Sequence, residues 1–216
     1  MRLKHLESAL SSVQVFEKPK VSLEQYPTTP YLAASMIHLA YQNEDIEGLC
    51  IGDFGVGTGM LSIASCLMGS YQVQGVDVDT DALHIAQINI NAYNFNDHID
   101  LLQSDIQDVS FMKMDINNIS SSSSYQFDTI VMNPPFGTKN TGIDTCFVIK
   151  AMECSNVVYS LHKTSTRSHF VKLAAENSWD FQLAAEMKFN IPKTFKFHKE
   201  KSKDIMVDLY RLSHIT

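Results

Sequence analysis

The sequence has little of what marks a membrane, secreted or metal-binding protein. None of its apolar runs approaches the ~20 residues that a helix needs to cross a bilayer. The N-terminus has no hydrophobic segment of the kind that a secretory signal needs. The 4 cysteines form no C-x-x-C pair and no cluster with histidine, which favours reduced thiols over a disulfide framework or a zinc site. These absences predict an intracellular protein that binds no membrane.

Positive charge is also scarce. The formal net charge of -7 argues against a protein that binds nucleic acid over its whole surface, because phosphate contacts need concentrated Lys and Arg. Any nucleic-acid site must therefore be local. One candidate is the lysine-rich stretch 193–203, where aromatic residues alternate with charge and where Lys196, His198 and Lys199 could contact RNA. The alternative for this stretch is a solvated hairpin turn.

The chain itself is long enough for one α/β domain of ordinary size. Its 216 residues are 44% hydrophobic and 19% charged, as in a globular protein with a sizeable core. We expect a single domain over residues 1–216, with an N-terminal helix and lid segment at 1–30. A flexible serine-rich loop is expected at 107–125, because its polar, low-complexity sequence cannot bury surface.

A proline-interrupted strand end lies in the middle of the chain. The β-branched run 128–132 predicts a buried strand, and Asn133-Pro134-Pro135-Phe136 ends it with a stiff, extended backbone. Ligands of open α/β sheets bind outside the carboxyl ends of strands. There the Asn133 oxygen and the Pro134 carbonyl could accept the two N–H groups of a planar amine, and Phe136 could stack on a base. The alternative is a turn whose Phe136 lies in the core.

A glycine loop follows the first predicted core strand, residues 49–54. The strand leads into Gly55-Val56-Gly57-Thr58-Gly59, where missing Cβ atoms allow a ligand close to the backbone. The spacing differs from the dinucleotide fingerprint G-x-G-x-x-G, and an acid, Asp53, lies inside the strand end. That acid suits the ammonium group of an amino-acid-bearing cofactor better than a pyrophosphate.

Two further acids follow the next predicted strands. Asp77 lies about 20 residues past the glycine loop, where a carboxylate bonds the ribose hydroxyls of an adenosine. Asp105 could accept from an adenine amino group beside Ile106, although an acid in a turn after a strand is an equally good interpretation. Asp79 and Asp81 are assigned to capping the following helix.

The segment before the first long helix, at about 31–41, allows two interpretations. Gln25 and Thr28 could reach over a cofactor as a lid. Alternatively Thr28 or Thr29 caps the helix, with Pro30 in its first turn, and composition favours the cap.

The second half of the chain predicts helices at 147–154 and about 165–177, and strands at 156–160, 181–189 and 205–210. The last two strands are expected to form a terminal hairpin on a parallel sheet. Three residues beside the predicted crevice are candidate substrate contacts, although a solvated loop is at least as good an interpretation for the last two: Lys139, His162 and Lys163.

The order of these motifs is the one that a class I S-adenosylmethionine methyltransferase requires. The sequence resembles the methyltransferase-like protein 5 family, which methylates N6 of an adenosine in small-subunit (18S-type) ribosomal RNA. The resemblance runs from Leu3 to Leu212. Its most specific blocks are residues 16–20, 23–28, 132–140, 159–163 and 196–199.

The resemblance implies a Rossmann-like fold: a mostly parallel seven-stranded sheet, helices on both faces and an antiparallel C-terminal strand. It implies S-adenosyl-L-methionine as cofactor and no metal in this chain, and it revises Thr28 from cap to cofactor contact. The target adenine would be held by Asn133 to Phe136. The implied cofactor contacts are Gln25, Thr28, Gly55, Thr58, Met60, Asp77, Asp105 and Ile106.

The family also implies a heterodimer with a small zinc-binding activator subunit, located in the nucleus (nucleolus) and the cytoplasm. The chain departs from the family pattern at Val56 and Thr58, where cysteine is usual, and in its longer serine-rich insert. Two other functions stay open. Glutamine N5 protein methyltransferases use a similar Asn-Pro-Pro motif, and a non-catalytic RNA-binding scaffold could keep the fold without the reaction.

Overall fold

The computed structural model describes residues 1–109, 127–192 and 202–215. Most of the predicted serine-rich loop and the lysine-rich candidates Lys196, His198 and Lys199 lie outside these residues. In the described part of the chain, no helix is long and apolar enough to cross a membrane.

A seven-stranded sheet forms the centre of the protein, in the order β3-β2-β1-β4-β5-β7-β6. The β7 strand runs antiparallel to both of its neighbours and the other strand pairs described around β1 are parallel. This is the predicted class I methyltransferase fold. The strands are β1 (Cys50–Phe54), β2 (Gln72–Asp77), β3 (Ile99–Gln103), β4 (Phe127–Met132), β5 (Ser155–Lys163), β6 (Trp179–Pro192) and β7 (Ser202–His214).

Helices cover both faces of this sheet. Alternate residues of a strand point to opposite sides, so each face carries side chains that the helices bury. On β4, Val131 packs into the core beneath the first three helices, whereas Ile130 and Met132 pack against the fifth and sixth. The helices are α1 (Leu3–Leu10), α2 (Pro30–Gln42), α3 (Met60–Leu67), α4 (Thr80–Ala92), α5 (Ile143–Cys154) and α6 (Arg167–Glu176).

Several elements extend beyond their predicted ends. The β5 strand continues to Lys163 because it pairs with β7 from Val157 opposite Ser213 to Lys163 opposite Val207. The β6–β7 hairpin is likewise longer than predicted, since its ladder runs from Trp179 to Pro192. Long-range pairing, which local sequence does not report, sets these ends.

Candidate active site

A cavity of about 240 Å³ opens at the carboxyl ends of β1, β2, β3 and β4. All predicted cofactor residues line it, together with Asn133 and Pro135 of the proline-interrupted segment. Pro134, Phe136, Lys139, His162 and Lys163 are not among its lining residues. The cofactor residues that the structure brings together are Gln25, Thr28, Asp53, Gly55, Gly57, Thr58, Met60, Asp77, Asp105 and Ile106.

The glycine loop supplies the floor of this cavity. Gly55, Gly57 and Gly59 have φ angles of +73°, +53° and +82°, a region that other residues rarely adopt. A Cβ at Gly57 would also lie 3.1 Å from the ring of Phe16, which lines the same cavity. The loop therefore needs glycine both for its backbone shape and for the close approach of the N-terminal segment.

Two carboxylates, the buried Asp53 and the half-buried Asp77, give the cavity a negative character. Asp53 is 1% exposed and accepts a 2.6 Å hydrogen bond from Ser62 Oγ. Its pKa is raised to about 7, chiefly by burial; hydrogen bonds from Ser62 oppose the shift and the charge of the nearby Asp77 adds to it. Burial also raises the pKa of Asp77. A cationic ligand would favour the ionised form of both groups, as the predicted ammonium-bearing cofactor would.

Asp77 also fixes the backbone on the side of the cavity formed by the glycine loop, which we call the cofactor side. Its Oδ2 accepts from the Gly57 N–H and its Oδ1 accepts from the Asp79 N–H, both at 2.9 Å. Asp105 has a different role in its own turn, where its Oδ1 accepts from the Gln107 N–H at 3.0 Å. The turn interpretation of Asp105 and its place on the cavity wall are therefore compatible.

The segment between Phe16 and Thr28 covers the cavity. Gln25 Nε2 donates to Asp79 Oδ2 at 2.6 Å, and Gln25 Oε1 accepts from the Lys20 N–H at 2.8 Å. The Lys20 ammonium pairs with Asp79 Oδ1 at 2.5 Å. Asp79 also caps α4 by accepting from the Asp81 N–H, as predicted. Protein groups bond both ends of the Gln25 amide, so its side chain links Lys20 to Asp79 and holds the lid segment in place.

The part of the cavity wall around Asn133, where the target amine is predicted to bind, is called the target side. Asn133 Nδ2 donates to Thr28 Oγ1 at 3.0 Å, whereas its Oδ1 is buried and has no hydrogen-bond partner among the described residues. Thr29, and not Thr28, caps α2 by accepting from the Leu32 N–H at 3.3 Å. Thr28 is therefore not the cap of α2 and lies on the cavity wall, and its implied contact with a cofactor stays a prediction.

Phe136 lies beside the cavity. Its ring meets Phe189 edge to face, with centroids 6.4 Å apart, and Lys163 Nζ lies 5.6 Å from its centroid. Lys139 donates its backbone N–H to Glu24 Oε1 at 2.8 Å and its side chain is exposed. Lys139 and Lys163 thus flank the catalytic segment, while their role toward RNA remains a prediction.

His162 corrects the sequence analysis. Its side chain is 1% exposed and lies between Phe170, with ring centroids 3.8 Å apart, and the stacked ring of Tyr210 at 5.3 Å. Burial lowers its pKa to about 3, so the ring is neutral at pH 7. The predicted RNA contact is wrong in this structure because β5 extends through position 162 and turns the ring into the core.

Asn89 of α4 is a site residue that the sequence did not indicate. It is 1% exposed, and its Nδ2 donates to the carbonyls of Thr58 at 2.8 Å and Gln14 at 2.9 Å. Its Oδ1 accepts from the Gln14 N–H at 2.8 Å. One amide therefore fixes the N-terminal segment to the glycine loop. A single polar residue within a helix carries no signal of such a role.

The site as built suits S-adenosyl-L-methionine. The acidic pair would favour a ligand with positive charge, and the glycine floor would admit a ligand close to the backbone. Asp53 would receive the ammonium group, Asp77 the ribose hydroxyls, and Asp105 with Ile106 the adenine. These assignments rest on the position of each side chain on the wall of the cavity.

Comparisons with known proteins agree with this geometry. The family model for ribosomal protein L11 methyltransferase (PrmA) matches residues 26–133. The rRNA N(6)-adenosine-methyltransferase Mettl5 of Drosophila melanogaster is 44% identical over 215 residues, which cover 98% of this chain and 96% of the relative. This chain belongs to the METTL5 family. The METTL5 relative of Danio rerio, also named rRNA N(6)-adenosine-methyltransferase, is 40% identical over 99% of both chains.

A solved structure supports the METTL5 assignment. PH1948 from Pyrococcus horikoshii, a proposed RNA methyltransferase, superposes with a TM-score of 0.86 at 33% identity. The match covers 100% of this chain and 97% of that one. The family and the fold together imply a methyl donor of the S-adenosylmethionine type.

Proposed function

We propose that this METTL5 family member methylates N6 of an adenosine in small-subunit (18S-type) ribosomal RNA. The observation that carries the proposal is the Asn133 carbonyl oxygen, a buried acceptor without a partner among the described residues, on the wall of an acidic cavity. A buried polar atom left unpaired costs about 1–3 kcal/mol, so it marks a place where a ligand is expected to donate.

An exocyclic amine is a suitable donor. The nitrogen of adenine N6 is a poor nucleophile because its lone pair is delocalised into the ring. Asn133 Oδ1 and the Pro134 carbonyl would each accept one N–H, and Pro135 would keep that carbonyl in place. Bonding both hydrogens favours a pyramidal nitrogen whose lone pair points away from them, toward the cofactor side of the cavity.

The remaining residues would position the substrate and the cofactor, and they would not exchange protons with either. Bound S-adenosyl-L-methionine would supply a methyl group made electrophilic by its sulfonium. Asn133 takes no proton at neutral pH, so the proton of the amine would leave to water after transfer. The target base would be flipped out of its strand and stacked near Phe136, where Lys163 already lies 5.6 Å from the ring.

The RNA is proposed to bind along the same edge of the sheet. Lys139 and Lys163 lie beside the catalytic segment, and β7 begins at Ser202, well before Val207, the partner of Lys163. The β6–β7 hairpin therefore extends past the carboxyl end of β5. Its lysine-rich connection, with Lys196, His198 and Lys199, would add phosphate contacts to a chain whose formal net charge is -7.

The catalytic chain is proposed to work in a heterodimer with a small zinc-binding activator subunit. Half-exposed apolar side chains support a covering partner: Val78 after β2 is 48% exposed, and Ile88 on α4 is 37% exposed. Among the described strands, β3 next to them has a sheet partner on one side only, and such an edge can accept a strand from another chain. A ribosomal RNA substrate would place the complex in the nucleus (nucleolus) and the cytoplasm.

A protein substrate is the competing function. The PrmA model, which describes a family of protein methyltransferases, matches the cofactor side of the chain up to Asn133. A glutamine side chain carries an amide nitrogen that the same acceptors could bind. The match ends where the target side begins, so it bears on the cofactor more than on the substrate.

A labelled-methyl transfer assay separates these functions. The chain would be incubated with small-subunit ribosomal RNA and with ribosomal protein, with and without the activator subunit, and the products digested to nucleosides and amino acids. We expect label in N6-methyladenosine, at a higher rate with the activator. Label in glutamine would establish the protein substrate, and measured cofactor binding without transfer would establish the scaffold.

A further inference from the structure

The segment that covers the cofactor cavity also touches the catalytic loop at two places. Thr28 Oγ1 accepts from Asn133 Nδ2 at 3.0 Å. Glu24 Oε2 accepts from Thr138 Oγ at 2.6 Å, and its Oε1 accepts from the Lys139 N–H at 2.8 Å. The lid therefore holds the residues on both sides of Phe136.

Thr28 is held rigidly by its neighbours. Pro27 precedes it, Thr29 caps α2, and Pro30 is the first residue of that helix. Fixed proline φ angles and a capped helix leave this backbone little freedom. The backbone position of Thr28 is thus set by α2, and this backbone places its hydroxyl beside Asn133.

The hydroxyl matters because a primary amide has two different ends. Asn133 can assist an amine only if its oxygen, and not its NH2 group, faces the cavity. By accepting from Nδ2, Thr28 holds the NH2 end and leaves Oδ1 buried without a partner among the described residues. A hydroxyl can accept or donate, and here it accepts from Nδ2, so the hydrogen bond holds the amide in the rotamer that the reaction needs.

Glu24 makes the matching contact farther along the loop. Its backbone is left-handed, with φ of +51°, and its side chain is 9% exposed. A non-glycine residue is kept in this region only where its surroundings determine it. Here the unusual backbone directs the carboxylate to Thr138 and Lys139, which follow the catalytic segment directly.

We propose that Thr28 and Glu24 are positioning residues that orient the catalytic amide and the loop behind it from within the lid. The inference rests on the proposed adenosine N6 transfer and extends it. Neither residue needs to touch the reacting atoms. The segment that covers the cofactor cavity would then also complete the target side.

Neighbouring threonines provide the test. Thr28→Val keeps the shape of the side chain but removes the acceptor, whereas Thr28→Ser keeps the acceptor. Thr29→Val removes the α2 cap and leaves the site contact intact. For each full-length variant, kcat on small-subunit ribosomal RNA, the Kd for S-adenosyl-L-methionine by calorimetry, and Tm would be measured. Glu24→Ala and Glu24→Gln form the second pair, because Gln can still accept from the Lys139 N–H.

We expect Thr28→Val to lower kcat about tenfold, since small misplacements of a reacting group are costly, while the cofactor Kd changes less than about twofold. Thr28→Ser should restore most of the rate, and Thr29→Val should lower Tm with kcat retained. Glu24→Ala should lower kcat by a similar factor and Glu24→Gln by less.

Three results would overturn the inference. A wild-type kcat for Thr28→Val would show that the amide is oriented without the hydroxyl. A rate loss explained entirely by a weaker cofactor Kd would make Thr28 a direct cofactor contact. If the wild-type protein itself transfers no methyl group to RNA, the proposed function fails, and this inference fails with it.

Discussion

The cofactor side and the target side of the cavity differ in how fully their polar atoms are paired. On the cofactor side, both oxygens of Asp77 accept backbone N–H groups, and Asp53 accepts from Ser62. The Asn89 amide uses both of its ends. On the target side, Asn133 pairs only its nitrogen, and its buried oxygen has no partner in the described part of the chain.

This difference distinguishes the cofactor site, which other proteins with this fold can share, from the residues that the reaction on a particular substrate needs. A cofactor site that is paired and rigid can serve many substrates, and the PrmA model accordingly matches this chain over residues 26–133. The unpaired acceptor of Asn133 lies at the last matched residue. Substrate choice is therefore expected to depend on the few residues around and after position 133, and the two sides should respond differently to substitution.

The largest effect is expected on the target side, from Asn133→Ala. Removing an oriented hydrogen-bonding group that acts on the reacting centre costs about 10²–10³ in kcat, so methyl transfer to RNA should fall to near background. Cofactor affinity should stay nearly intact, because Asp53, Asp77 and the glycine loop are unchanged. Parallel calorimetry and transfer assays would check this, and loss of both properties together would contradict the division into two sides.

Asp53→Asn should produce the complementary result on the cofactor side. Removing the negative charge should weaken binding of the cationic cofactor by about 100-fold, or roughly 3 kcal/mol. The unliganded protein should nevertheless become more stable above pH 7. The pKa of Asp53 is raised from 3.8 to about 7 by burial, so stability is lost as the pH rises between these values, and Asn avoids that loss.

Calorimetry at pH 8 and thermal unfolding at pH 5 and pH 8 would test both parts. Ser62→Ala is a useful control, because it removes the 2.6 Å bond that favours the charged form. It should destabilise the protein at pH 8 while the carboxylate itself remains. An Asp53→Asn protein that binds cofactor normally would assign the ammonium group to another residue.

The glycine loop and the acids that line the cofactor side could be predicted from the sequence alone, because they follow local patterns. Glycines at fixed spacing, an acid at a strand end and a second acid about 20 residues later are readable without a structure. Residues whose partners are distant in the sequence could not be predicted. Asn89 lies 31 positions from Thr58, and Glu24 lies 114 positions from Thr138. Nothing in the spacing of polar residues on a helix or in a lid indicates such partners.

The wrong prediction has the same cause. A strand ending at residue 160 would leave His162 in a loop beside the site, and the local sequence supports that end. Pairing with β7 instead continues β5 to Lys163 and places the ring against Phe170. The end of a strand is decided by its neighbour, and that neighbour lies more than 40 residues further along the chain.

Asn89→Leu tests how much the shape of the cofactor side depends on one amide. The substitution leaves the Thr58 carbonyl and both backbone groups of Gln14 without this partner, at about 1–3 kcal/mol for each buried group that finds no water. We expect a lower Tm and a cofactor Kd raised about tenfold, with kcat at saturating cofactor within about twofold of wild type. Calorimetry and saturation kinetics would measure these values. A change confined to kcat would place Asn89 on the target side instead.

The smallest effect on RNA methylation is expected from His162→Phe, which tests whether the target side extends into β5. The ring is buried, and its pKa is lowered from 6.5 to about 3, chiefly by burial and also by His169, while Asp208 opposes the shift. An unfolded histidine binds a proton below pH 6.5 that the folded one does not, so this residue reduces stability progressively from pH 6.5 toward pH 3.

In the Phe variant that loss should be absent. The free energy of unfolding should therefore fall about 3 kcal/mol less between pH 7 and pH 4 than in the wild type. Asp53 and Asp77 titrate in both proteins, so the difference between the two pH profiles isolates position 162. Methylation of RNA at pH 7 should stay close to wild type, whereas a rise in KM for RNA would restore His162 to the substrate surface and extend the target side into β5.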